Sequence, residues 1–188
     1  MERCRISLRS THTTSPRLVA ECVGRKMDSI DKHSLSERDI CTKFITPAIV
    51  GAGWDVQLQV REEVTFTDGR VIVKGRSTSR GPKKRADYVL YHKPGMPLAV
   101  VEAKDNTHSV GDGMQQALAY SHQDCLDVPF AFSSNSDGFL IHDRTGTFPH
   151  KEFEVSLDQF PTPKDLWDRN LRWRGINEQA EEIVESDF

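Results

Sequence analysis

Two acids and a lysine carry the strongest chemical signal in this chain. Asp87 opens the string Asp87-Tyr-Val-Leu-Tyr91, and Glu102 and Lys104 close the string Leu98-Ala-Val-Val-Glu-Ala-Lys104. Both strings read as strands, and Lys93-Pro-Gly-Met-Pro97 between them reads as a turn. A turn centred near Gly95 pairs residues whose numbers sum to about 189–190, which sets Asp87 opposite Glu102. Strand alternation puts Glu102 and Lys104 on one face and turns Ala103 away. Directly opposed side chains have Cβ atoms about 4.5–5.5 Å apart. Two carboxylates at that distance repel, and beside the apolar Val100-Val101 they need a shared proton or cation. A hard divalent cation such as Mg²⁺ takes oxygen ligands of this kind. Lys104, one step further along, then stands where it can orient a water or offset charge on a phosphate. The plainer alternative is a surface hairpin with a Glu–Lys pair and a remote Asp.

The surrounding elements decide between these readings. Residues 70–85, RVIVKGRSTSRGPKKR, hold seven basic residues and no acid, immediately before Asp87. They read as the end of a hairpin (Val56 to Phe66, a turn at Thr67-Asp68-Gly69, and Arg70 to Lys74) followed by a basic loop over 75–85. Arg76, Arg80, Lys83, Lys84 and Arg85 in that loop can grip a polyanion through its backbone. A solvated excursion is the alternative. Residues 109–123 read as a helix behind a Ser109 cap, and Gln116 and Tyr120 share one of its faces. Upstream, Ser34-Leu-Ser-Glu37 fits a capping box, and Ile40, Phe44, Ile45 and Ile49 recur at helical spacing. Pro47 shortens or kinks that helix, and Gly51-Ala-Gly53 ends it. Phe130-Ala-Phe and Gly138 to His142 read as a strand pair around Asn135-Ser-Asp137. Thr162-Pro-Lys-Asp-Leu-Trp167 opens a last helix. The order is helix, three or four strands, helix, two strands, helix, which describes a mixed α/β domain with an antiparallel meander at its centre.

Composition narrows the function classes. At 188 residues and net charge −3 the chain suits one domain without a uniformly basic coat. It holds no apolar run long enough to span a bilayer. The four cysteines, Cys4, Cys22, Cys41 and Cys125, are widely spaced. Without CxxC or HExxH strings, reduced thiols in the cytoplasm are the simplest reading. GxxxxGK[ST] and GxGxxG are also missing, so the chain carries no P-loop motor. His92, His108, His122 and His142 show no ligand spacing. Trp54, Trp167 and Trp173 read as core residues, or as interface anchors where exposed. Residues 1–33 read as an extension, with transit-peptide composition in the first 26 and Met27 as an alternative start. Residues 176–188 read as an acidic connector.

The string "RADYVLYH…PLAVVEAKD" resembles the PD-(D/E)xK nuclease signature, with Ala86 where the family often has Pro. "QQALAY" resembles the Q-x-x-x-Y helix of one nuclease branch. Taken in order with "LSERDICTKFITPAIVGAGWD", "FAFSSNSDGFLIHD" and "FPTPKDLWDR", these pieces resemble the N-terminal nuclease domain of the type I restriction enzyme R subunit (HsdR family) over residues 34–175. The resemblance implies a restriction-endonuclease-like α/β core, a mixed central sheet flanked by helices. It implies that Asp87 and Glu102 bind Mg²⁺, or Mn²⁺ in its place, with the backbone oxygen of Ala103. It makes Lys104 the catalytic lysine and Gln116 and Tyr120 its supports. Glu37 resembles an acid that joins the metal shell in some members, and a helix cap explains it equally well. The implied partners are double-stranded DNA and the methyltransferase and specificity subunits of a restriction complex, with no membrane. The family's ATP-driven helicase would follow this domain. A docking module that keeps the fold without catalysis, and a domain that joins the motor to the methyltransferase core, are the other classes.

Overall fold

A computed structural model describes residues 31–67 and 83–176, with the backbone alone at 71–74 and 77–80. Residues 1–30 and 177–188, which include most of the expected extension over 1–33 and most of the acidic connector, lie outside the described residues.

The chain enters through a 3₁₀ turn, Lys32–Ser34, two residues before the expected start of order. The first helix has three parts: α1 (Glu37–Ile40), a π turn over Cys41–Ile45, and α2 (Thr46–Gly51). Its cap is Ser36, not Ser34: Ser36 Oγ accepts from the Asp39 amide at 3.2 Å and donates to the Asp39 carboxylate at 2.8 Å. Pro47 has no N–H for the carbonyl four residues back. The wider π turn just before it absorbs that missing rung, so the helix continues. Ile40, Ile45 and Ile49 face the core as the spacing predicts, and Phe44 is half-buried.

Eight strands follow among the described residues: β1 (Val60–Thr67), β2 (Val71–Lys74), β3 (Ser77–Arg80), β4 (Lys83–Tyr91), β5 (Pro97–Ala103), β6 (Phe130–Ser134), β7 (Gly138–Asp143) and β8 (Glu152–Ser156). Six form one sheet in the order β1-β4-β5-β6-β7-β8. The expected pairing of residues 56–66 with 70–74 is corrected. β2 pairs with β3 in a separate two-stranded ribbon, and β1 pairs with β4. The expected basic loop at 75–85 is therefore mostly strand. Arg80 ends β3, and Lys83, Lys84 and Arg85 extend β4, paired to Thr67, Phe66 and Thr65. Arg76 lies outside the described residues. The centre is not a pure meander either, because β5 and β6 run parallel. A parallel neighbour needs a crossover, and α3 (Met114–Ser121) supplies it. The strand pair at 130–142 forms as expected between β6 and β7. β8 has no counterpart in the sequence reading.

Two cores sandwich the sheet. On one face the first helix and α4 (Pro163–Arg174) pack against Tyr88, Leu90, Val101 and Phe132. On the other, Met114, Ala117 and Tyr120 of α3 pack against Val89, Val100 and Ala131. Residues 98–103 of β5 are buried throughout, which explains its unbroken apolar run before Glu102. Each large apolar side chain buried this way contributes roughly 1.5–3 kcal/mol. α4 begins where expected, behind a cap in which Thr162 Oγ1 accepts from the Asp165 amide at 3.1 Å, and stops at Gly175 in the left-handed conformation. Trp54 and Trp167 are buried and Trp173 is exposed.

Candidate active site

The site forms where β4 and β5 part. Their ladder includes Tyr88↔Val101, the register deduced from the turn, so Asp87 and Glu102 are next in line. At that point the Ala103 amide donates to Asp87 Oδ2 at 2.8 Å. The Asp side chain takes a place in the bonding pattern, which ties it to the strand that bears Glu102. Past Ala103 the chain still follows β6, because the Lys104 amide donates to Ser134 O at 2.8 Å.

Glu102 is 2% exposed and is the pivot of the cluster. Its Oε1 accepts from Gln116 Nε2 and lies 3.6 Å from Lys104 Nζ. Its Oε2 is buried with no hydrogen-bond partner. Burial first, and then the Asp87 charge beside it, push the Glu102 carboxyl up to about 8, while Lys104 pulls the other way. Lys104 Nζ also lies 3.5 Å from Gln116 Oε1 and 3.5 Å from Glu37 Oε1. Gln116 thus donates to the glutamate with its amide nitrogen and accepts from the lysine with its amide oxygen. The same nitrogen lies 2.9 Å from the Tyr120 hydroxyl. The structure brings Asp87, Glu102, Lys104, Gln116, Tyr120 and Glu37 together.

The helix that delivers Gln116 starts later than expected. Residues 110–113 are turns, with Ser109 bonding Asp112, and α3 begins after Gly113. This glycine is a site residue that the sequence reading missed. A Cβ there would lie 2.7 Å from Ser133 Oγ and 3.2 Å from Glu102 Cγ. Its amide donates to Ser133 Oγ at 3.1 Å. The signal available in the sequence was the string Gly111-Asp-Gly113, where glycine permits close approach of a backbone.

A cleft of about 120 Å³ opens in front of Asp87, between the first helix and β1. Glu37, Glu62, Glu63, Arg38, Arg85 and Cys41 help line it. Burial pushes the Cys41 thiol up to about 11, so it is no thiolate nucleophile. The β1–β4 ladder has rungs at Glu62↔Tyr88 and Val64↔Ala86 and none between them. Glu63, at the gap opposite Asp87, has φ +52°. Its carboxylate holds Arg38 at 2.5 Å and has Arg85 at 4.0 Å. Lys84 leans over the Tyr120 ring at 5.9 Å, and Lys83 is exposed. The histidines serve elsewhere: His92 stacks on Trp167, His142 bonds Glu152, and His108 bonds Asp105.

The donor set suits a hard cation: two carboxylates, one with an idle buried oxygen, beside a backbone carbonyl. Among the described residues no three His, Cys, Asp or Glu side chains close into a cage by themselves. Mg²⁺ tolerates that arrangement, because it keeps several waters and binds through one or two carboxylates plus phosphate oxygens.

The sheet order, the parted strands and the acid–acid–lysine cluster define a restriction-endonuclease-like α/β domain. Residues 58–150 match the model of the type I restriction enzyme R protein N terminus. The chain is 45% identical over 163 residues to the type I restriction enzyme EcoAI endonuclease subunit of Escherichia coli, covering 86% of this chain and 20% of that protein. A solved fragment described as an HsdR subunit of a type I restriction enzyme from Vibrio vulnificus YJ016 aligns with a TM-score of 0.63 at 40% identity. That alignment covers 77% of this chain and 27% of that one. The chain belongs to the family of type I restriction enzyme R protein N termini, and it spans about a fifth of the length of its curated relative.

Proposed function

We propose that residues 34–175 form a Mg²⁺-dependent DNA endonuclease domain of a type I restriction enzyme, hydrolysing phosphodiesters without reading sequence. One observation carries the reading. Glu102 is buried with an unbonded oxygen, next to Asp87 and Lys104. Leaving a buried polar atom unsatisfied costs about 1–3 kcal/mol, and more for a charge. A cation shared with Asp87 would remove that cost and their mutual repulsion.

Asp87, Glu102 and the Ala103 carbonyl would hold the metal, Mg²⁺ or Mn²⁺, with Glu37 as a further acid near the lysine. When bound, such an ion offsets phosphate charge and makes a bound water more acidic. The chain's own groups do the rest. Lys104 orients the attacking water and balances charge at the phosphate. Gln116 holds Glu102 and Lys104 in fixed relation, and Tyr120 fixes Gln116. Water oxygen bonds to phosphorus while the bond to the 3′ oxygen breaks, which leaves a 5′ phosphate. Lys83, Lys84 and Arg85 grip the DNA backbone from the extended end of β4, and Arg76 and Arg80 add further backbone contacts. In the whole protein an ATP-driven helicase would follow, and methyltransferase and specificity subunits would select the site, in the cytoplasm.

The test is cleavage by the complete restriction enzyme with Asp87→Ala or Glu102→Ala in its R subunit. Both variants should lose plasmid cutting and keep ATP-driven translocation, since the site lies outside the motor. Cutting at normal rate by both would sink the assignment.

A further inference from the structure

Of the Arg38–Glu63–Arg85 cluster only Arg85 has a task in the scheme above, and the cluster as a unit has none. Its three side chains are all well exposed, at 66%, 50% and 61%. Ion pairs this exposed contribute about 0–1 kcal/mol at most, so the contact does not explain itself as a stabilising device. Yet it is accompanied by backbone strain. Glu63 has φ +52°, inside a strand, at the one gap in the β1–β4 rungs between Val60 and Thr67. A non-glycine residue in the left-handed region costs on the order of 1–3 kcal/mol, and such residues gather at binding sites. The strain aims one carboxylate between two guanidinium groups. Those groups line the same cleft as Asp87.

We infer that Arg38 and Arg85 form a clamp for a DNA phosphodiester next to the one being cut, and that Glu63 occupies the phosphate's place in the free protein. This rests on the nuclease reading of the Asp87 site. The chemistry is that of an anion between two guanidinium forks, the arrangement arginine makes with carboxylate and phosphate alike. The geometry supplies the direction. Arg38 sits on α1 and Arg85 on β4, so the clamp spans the two walls of the cleft. A strand laid along the extended end of β4 toward Asp87 passes between them. Exchange of Glu63 for phosphate replaces one charge-assisted contact with another, and the displaced carboxylate returns to water. The acid therefore weakens DNA binding without blocking it. It also discourages anions too weakly held to compete, because a partner must outbid a carboxylate already in position.

The experiment is duplex binding by the full 188-residue chain, followed by fluorescence anisotropy in chelator across a salt series. Arg38→Ala should weaken binding on the order of fivefold, the upper end for an exposed ion pair. It should also lower the salt slope by about 1, the signature of one lost phosphate contact. Glu63→Gln should tighten binding by a similar factor. In the Arg38→Ala background, Glu63→Gln should gain less, because half the clamp is gone. Thermal melts of each variant identify any general loss of fold, and Arg38→Lys should recover most of the salt slope even where melting temperature shifts. An unchanged slope in Arg38→Ala overturns the clamp, and so does weaker binding by Glu63→Gln. Absence of duplex binding by the wild-type chain at low salt also overturns it. That result leaves the nuclease reading to the Asp87 and Glu102 variants, whose readout is cleavage in the complete enzyme.

Discussion

Glu102 concentrates the physical tension of this molecule. Its carboxyl is pushed up to about 8 by burial and by Asp87. In an unfolded chain it titrates at about 4.3. Between those values the folded protein keeps a proton that the unfolded chain has released. Stability contributed by this group is thus complete below about 4.3, falls as pH rises toward about 8, and levels off above it. Melting temperatures in chelator should show this directly. Glu102→Gln should gain on the wild type steadily from pH 5 to pH 8, and the two curves running parallel would mean Glu102 ionises normally. A saturating divalent cation should shrink the gap by favouring the carboxylate. Lys104 calls for a different contrast. Lys104→Ala removes a charge and no metal ligand, so calorimetric Mn²⁺ binding should persist while cleavage slows by about 10² or more. Glu102→Ala should lose both together. A wild-type cutting rate in Lys104→Ala would make it an ordinary strand-end residue. The triad of Asp87, Glu102 and Lys104 was legible because strand alternation and a short turn fix register over a few residues. The idle oxygen of Glu102 was not, since it depends on what α3 and β6 place around it.

Elements bring those residues together, and α3 does so by a close approach at its start. Gly113 lets it approach Glu102 and Ser133 more closely than any side chain would allow. Gly113→Ala should cost about 1–3 kcal/mol, the usual range for overpacking. It should lower cleavage further by shifting Gln116 away from Glu102. Denaturant unfolding and cleavage assays read the two effects separately, and a variant with unchanged stability would show that the contact is easily relieved. The extended end of β4 is the second decisive element. Replacing Lys83, Lys84 and Arg85 with Ser should weaken binding to any duplex and flatten its salt slope. An unchanged slope would show that these side chains face only solvent. The sequence reading put these residues in a loop because a run of seven bases carries no strand periodicity. Pairing with β1, a long-range event, makes 83–85 a strand. The same cause displaced the hairpin: residues 60–67 found β4, across the ribbon, in preference to their immediate neighbours. Ser36 displaced Ser34 as cap for a local reason: α1 begins at Glu37, so Ser36 holds the position just before it, where its Oγ accepts from the Asp39 amide and donates to the Asp39 carboxylate.

At the scale of the molecule, the sheet has its acids at the parting of two strands and its bases along the extension of one of them. On the proposed nuclease reading, a cutting site then lies beside a sequence-blind grip. Two duplexes of equal length and unrelated sequence should therefore compete equally for the chain, and a preference above about tenfold would show base reading. The chain covers only 20% of its curated relative, so target choice and energy supply belong to proposals about the rest of such an assembly. The sequence by itself determined the α/β class, the first helix's buried isoleucines, the β4–β5 register, the β6–β7 pair and the opening of α4. All of these follow from periodicity, turn chemistry and capping, whose reach is a few residues. Only the tertiary structure decided that β1 joins β4, that β5 and β6 run parallel, that Glu37 reaches Lys104 from the first helix, and that Glu63 is strained between two arginines. Those facts arise from contacts between segments separated by tens of residues. There the outcome depends on which surfaces bury each other, and that competition leaves no local pattern in the chain.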